Sequence, residues 1–115
     1  MGAKKQTSKE LSKLRKIFKN IEPDKQKTAE KLIENAAFMA ESLDELQEII
    51  KEKGFTEEYQ NGANQFGVKK CSEVEIYNTM IKNYSSVIKQ LTELLPKGEQ
   101  SSGDELLDFI SGKNH

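Results

Sequence analysis

Few residues of this chain belong to types that carry out covalent chemistry. The one histidine is His115 and the one cysteine is Cys71. A Ser-His-Asp triad, a histidine-metal site, a cysteine zinc cluster and an intramolecular disulfide are therefore not expected. Cys71 stands just before an expected helix N-terminus, where a thiol can gain acidity. No base lies beside it in the sequence, so it reads as an incidental thiol. Glu30 with Glu34, and Glu41 with Glu45, have the i, i+4 spacing that could hold a divalent ion. Lysines are interspersed and no histidine is near, so a solvated helix face is the expectation. Neither G-x-x-x-x-G-K-[ST] nor G-x-G-x-x-G occurs, and Gly62 and Gly67 stand outside any βαβ context. The reading is a protein that is not an enzyme, with no metal and no cofactor.

The cations point elsewhere. Lys9, Lys13, Arg15, Lys16 and Lys19 fall within residues 9–19. Residues 1–21 hold seven cations against one acid, a net of +6 inside a chain whose total is -1. Residues 22–58 carry a net of -6, residues 59–97 a net of +2 and residues 98–115 a net of -3. A basic end suits a polyanion, so these five residues, with Lys69 and Lys70, are the expected polyanion contacts. A solvated, lysine-rich terminus is the bland alternative.

Elements must position those residues. Leu11, Leu14, Ile17, Phe18 and Ile21 recur at helical spacing and predict a short amphipathic helix over 8–20. Pro23 suits the first turn of the next helix. From Asp24 to about Lys53 no Gly or Pro intervenes, and Ala29, Leu32, Ala36, Met39, Leu43, Leu46 and Ile50 step by 3 and 4, as in a coiled-coil seam. Ile33, Ala37, Ala40 and Ile49 widen the stripe. Ser42-Leu43-Asp44-Glu45 resembles a capping box, yet the seam passes through it unbroken, so one helix is favoured. Gly54 is the natural cap. Ser72-Glu73-Val74-Glu75 predicts the start of another helix, running to Leu95 and stopped by Pro96. Its seam is Val74, Tyr77, Ile81, Tyr84, Ile88, Leu91 and Leu95. Between the helices, Asn61-Gly62 with flanking Tyr59, Phe66 and Val68 signals a type I′ turn in a small β-hairpin or an ordered loop.

The expected fold is all-α. A short N-terminal helix precedes a long antiparallel helical hairpin with that connector, and a flexible C-terminal tail follows. The organisation is a basic arm and helix at 1–21, a hairpin oligomerisation core at 22–96, and an acidic tail at 97–115. Leu43, Leu46, Ile50, Ile81, Tyr84 and Ile88 are the expected core and oligomer contacts. A straight helix of such length outruns a compact monomer, which favours a homo-oligomer. In the tail, Leu106, Leu107, Phe109 and Ile110 sit in an acidic frame behind a Gly/Ser linker and read as a segment that docks a partner. A final helical turn folded onto the chain's own core is the alternative.

Composition sets the bounds. The chain has 115 residues, 35% hydrophobic and 32% charged. Leu, Ile, Val and Phe number 27 of those 115, above the roughly 20% below which chains stay disordered. One domain is expected. No run approaches the ~18 apolar residues of a membrane span, and the N-terminus has no apolar signal core. The expected setting is a reducing cytoplasm.

Several of these segments together carry a family resemblance. They are Glu58-Tyr59-Gln60-Asn61-Gly62-Ala63-Asn64-Gln65-Phe66-Gly67-Val68-Lys69-Lys70, Glu73-Val74-Glu75-Ile76-Tyr77-Asn78 and Ile88-Lys89-Gln90-Leu91-Thr92-Glu93-Leu94-Leu95-Pro96. Over residues 22–96 the chain resembles the phage terminase small subunits of the P27 type, found in phages and prophages. The Leu106-Leu107-Asp108-Phe109 ending is also similar. The resemblance implies a DNA-packaging role in the bacterial host cytoplasm: binding viral double-stranded DNA, assembling into a ring, and regulating a large subunit that carries the ATPase and nuclease. The residues ahead of the hairpin show no recognisable helix-turn-helix pattern, so the DNA contacts are assigned by charge alone. A structural coiled-coil oligomerisation protein and a small DNA-binding transcriptional regulator are the competing readings.

Overall fold

The computed structural model describes residues 2–60 and 62–100, with residues 2–8 as helix backbone only. Three helices and one two-stranded antiparallel sheet make up a mostly helical molecule. Helix α1 runs Gly2–Ile17, α2 runs Gln26–Lys53 and α3 runs Ser72–Leu94. Strands β1, Thr56–Gln60, and β2, Phe66–Lys70, lie between α2 and α3.

Helix α1 begins well before the first apolar residue of its stripe. Residues 3–6, Ala-Lys-Lys-Gln, are good helix formers and prolong the helix where the hydrophobic pattern has not started. The helix closes with Phe18 N–H bonded to the Leu14 carbonyl at 3.0 Å. Glu22 is extended, as a residue before proline must be, and Pro23 opens a 3₁₀ turn over Pro23–Lys25 that feeds α2. The Gln26 side-chain amide donates to the Ile21 carbonyl and fastens this corner. So short a connection makes α1 and α2 antiparallel neighbours. Helix α2 runs through Ser42 without a break and ends at Gly54, whose φ of 86° is open to glycine and whose N–H reaches the Ile50 carbonyl at 2.7 Å.

Helix α3 returns along α2. Lys53 meets Glu73 and Gln47 meets Tyr77, so late residues of α2 face early residues of α3. The anticipated Ser72–Glu75 box does not form. Cys71 occupies the N-cap position, with no side-chain capping bond. One residue of phase puts Ser72 inside the helix. At the other end Leu95 turns extended before Pro96, and the Asn20 side chain bonds Glu99, tying the exit of α3 to the α1–α2 corner.

The core lies at that corner end. Leu14, Phe18 and Ile21 pack with Ala29, Ile33, Ala36, Ala37 and Leu43 of α2 and with Tyr84, Ile88, Leu91 and Leu95. The buried α2 residues all lie at or before Leu43, and the buried α3 residues all lie at or after Tyr84. Three helices meet only there. Of the six expected core positions, Leu43, Tyr84 and Ile88 are buried, whereas Leu46, Ile50 and Ile81 are half-buried. The seam identifies the inward face correctly, but beyond Leu43 α3 is its one covering helix among the described residues. Principal extents of 62 × 31 × 29 Å record the elongation that follows.

The hairpin crowns the two-helix end. Its register pairs Thr56 with Lys70, Glu58 with Val68 and Gln60 with Phe66 on one face. Tyr59 sits opposite Gly67 on the other, where a Cβ at Gly67 would come within 2.7 Å of the ring. The strands are joined through residues 61–65, a longer connection than a two-residue type I′ turn; Asn61 itself lies outside the described residues.

In urea titrations Leu91→Ala is expected to cost ~2–5 kcal/mol of unfolding free energy. Leu46→Ala is expected to cost clearly less in dilute protein. Equal losses would show that both ends are covered alike.

Candidate nucleic-acid and partner interfaces

The side chains of the N-terminal cations do not share one environment. On α1, Lys9 and Lys16, seven residues apart, lie opposite the Leu14 and Phe18 face, and Lys13 lies on its flank. Lys9 and Lys16 are exposed, and Lys13 is half-buried. Lys19 is exposed in the turn that follows the helix. Arg15 lies on the flank toward α2, where its Nε sits 2.7 and 3.1 Å from the two carboxylate oxygens of Glu30. That contact directs the guanidinium along the α1–α2 seam, and the hydrogen bond to Glu30, then its charge, raises the Arg15 pKa.

Lys69 and Lys70 stand apart from this group. Lys69 Nζ lies 3.8 Å from Glu57 across the hairpin, and Lys70 is exposed on the opposite face. The α1–α2 corner and the hairpin lie at opposite ends of α2, whose 28 residues span about 42 Å. The seven candidate cations therefore fall into two groups, one on α1 and its following turn and one on the hairpin, and make no continuous surface.

The carboxylate pairs do not build a metal site. Glu30 is engaged by Arg15, and no group of three or more His, Cys, Asp or Glu side chains able to hold a metal occurs among the described residues. Glu41 departs from the expected solvated face: it is buried. Four-residue steps along α2 from Ile33 through Ala37 arrive at Glu41, so the inward stripe carries the carboxylate into the packed side. The four apolar residues of the tail, Leu106, Leu107, Phe109 and Ile110, lie outside the described residues. Among those described, no helix is long and apolar enough to cross a membrane.

One polar cluster was not legible in the sequence. Where α2, the hairpin and α3 converge, the buried Cys71 thiol donates to Glu73 Oε1 at 2.7 Å, and Lys53 Nζ donates to the same oxygen at 3.0 Å. The Cys71 N–H also bonds the Phe55 carbonyl at 2.9 Å. The thiol, then Lys53, then the residue's own backbone N–H hold the Glu73 carboxyl down to about 2, from an ordinary 4.5. The bond to Glu73 likewise raises the Lys53 ammonium. This cluster clamps the base of the hairpin. Its sequence signal, Cys71-x-Glu73 beside a helix start, is weak without the distant Lys53.

Apolar exposure is the other feature that periodicity did not reveal. Phe55, Phe66 and Val68 are 72%, 71% and 66% exposed, and Ile76 is 50% exposed. Phe38, at 63%, projects from α2. Beside it a groove of about 370 Å³ is lined by Met39, Glu75, Ile76, Thr79, Met80 and Asn83. The α2–α3 face thus presents an apolar projection at Phe38 and an apolar recess between Met39 of α2 and Ile76 and Met80 of α3.

No protein-family model matches this chain, and neither a curated protein nor a solved structure matches it.

The Glu73 clamp has a pH signature. In the unfolded chain this carboxyl titrates near its ordinary value, so the clamp's stabilisation is full above about 4.5 and is lost as pH falls through about 2. The melting-temperature advantage of the native protein over Glu73→Gln should be largest near neutral pH, shrink below about 4.5 and vanish near 2. An advantage independent of pH would contradict the clamp.

Proposed function

We propose that the chain is a non-enzymatic small subunit of a phage DNA-packaging terminase. In this reading it binds viral double-stranded DNA and regulates the large ATPase/nuclease subunit from the bacterial host cytoplasm. The observation that carries the DNA-binding part is the exposed pair Lys9 and Lys16 on the outer face of α1, with Lys19 just beyond, inside a segment of net charge +6. A rigid helix presenting exposed cations matches a phosphate backbone by charge, without reading bases. The resemblance over residues 22–96 supplies the packaging context. The helical hairpin of α2 and α3 is the element through which copies assemble into a ring, and residues 104–110 are the segment that engages the large subunit.

One observation favours a second reading. Arg15 is held by Glu30, and α1 gives Leu14 and Phe18 to the core, so the basic segment also has a structural role. A purely structural coiled-coil protein would need nothing more of it.

Salt titration separates the two. Deleting residues 1–19 would remove Leu14 and Phe18 from the core, so single substitutions on the exposed side are the proper probes. Binding to a DNA duplex, followed by fluorescence anisotropy, should weaken with salt at a log–log slope of about -0.9 per phosphate contact. Lys9→Gln and Lys16→Gln should each reduce that slope by about one unit, at similar cost on any sequence. Slopes identical to the native protein's would overturn the DNA-binding assignment.

A further inference from the structure

The exposed hairpin and the α2–α3 groove are complementary, and both belong to every copy of the chain. An isolated two-stranded hairpin is marginal in water and needs a layer beneath it. Here the face carrying Phe66 and Val68 has none, since every residue on it is exposed. The groove has the converse deficit. Met39 and Met80 are half-buried and Ile76 is half open, with an unfilled recess between them. Methionines at such a recess adapt their shape to an inserted side chain.

Charges frame the two surfaces in a matching order. On the hairpin face, Glu58 lies directly opposite Val68 and Lys70 lies two residues along from Val68 on the same strand, so Glu58 and Lys70 are diagonal neighbours about 7–8 Å apart at the backbone. Along α3, Glu75 and Lys82 lie seven residues apart, about 10 Å, on the stripe that borders the groove. Seating Phe66 and Val68 in the recess can bring Lys70 to Glu75 and Glu58 to Lys82. The apolar segment 104–110 of the chain's own tail is a poorer occupant, because Asp104, Glu105 and Asp108 would meet Glu75 as like charges.

We propose that the hairpin of one copy docks, through Phe66 and Val68, into the Met39–Ile76–Met80 groove of the next copy. The contact is heterologous: each copy gives a hairpin and receives one, so successive copies form a closed ring or an open chain. This deepens the assembly part of the proposed function and rests on it; it is independent of the DNA contacts on α1.

The test is a complementation experiment on the full chain, read by light scattering after size exclusion from micromolar to several hundred micromolar protein. Native protein should form assemblies larger than the 13.1 kDa monomer. A Phe66→Asp/Val68→Asp variant and an Ile76→Asp/Met80→Asp variant should each fall to monomer mass while keeping native helical circular dichroism. Each retains one intact half-site, so mixing them should give a dimer that grows no further. Lys70→Glu should weaken assembly, and adding Glu75→Lys should restore it; this pair keeps the proposal testable if the aspartate variants misfold. A monomeric native protein, unchanged mass in either aspartate variant, or a mixture that stays monomeric would overturn the docking. A hairpin-to-hairpin contact would show as failure to complement. Loss of DNA binding with assembly intact would instead count against the α1 assignment alone.

Discussion

Docking of α1 across the α2–α3 pair is the contact on which the remaining structure depends. Leu14 and Phe18 are removed from water against Ala29, Ile33, Ala36 and Ala37. Burying a large apolar side chain contributes roughly 1.5–3 kcal/mol, and alanines on the facing helix let the axes come close. The Arg15–Glu30 pair beside this contact is substantially exposed and orients the helices more than it stabilises them. Tyr84 shows where the three helices converge. Burial raises its phenol well above the ordinary value, with Glu10 of α1 and Asp44 of α2 adding to the effect.

That contact is confined to one end, and the rest follows from its limit. Among the described residues, the inward stripe of α2 beyond Leu43 has one partner helix, α3. Leu46, Ile50 and Ile81 stay half wet, and the hairpin rests on a polar clamp instead of a core. The clamp itself is economical: one carboxylate, Glu73, receives the Cys71 thiol and the Lys53 ammonium, fixing the end of α2 to the start of α3. It holds the hairpin's base while leaving its apolar face open. On the docking proposal, it is this less packed end that a neighbouring copy would cover.

The sequence carried much of this. The 3–4 alternation on α2 and α3 and the stops at Gly54 and Pro96 were legible, because periodicity and turn chemistry are local; the connector could be read only as a small β-hairpin or an ordered loop, and its turn is longer than the Asn61-Gly62 signal implies. What the sequence did not carry was mostly non-local, with two local misses at helix starts. A seam states which face turns inward, not how many helices cover it, so Leu46 and Ile81 resembled Leu43 and Ile88. Glu41 lay on an inward stripe whose composition argued for solvent. The early start of α1 left no hydrophobic trace before Leu11. Ser72 matched a capping box one residue out of phase. The spacing of the α1 cations was visible, but the capture of Arg15 by Glu30 joins two helices and could not be read from either. Phe66 and Val68 marked a strand correctly while giving no sign that their face is uncovered.

Amide hydrogen exchange at low and high protein concentration measures the asymmetry directly. The account predicts that in dilute protein the slowest amides lie in residues 11–17, 29–43 and 84–94, with much faster exchange in 46–60 and 66–80. Raising the concentration should slow the second group selectively, as a neighbouring copy covers it. Uniform protection in dilute protein, or a fast group indifferent to concentration, would contradict a fold anchored at one end and completed by association at the other.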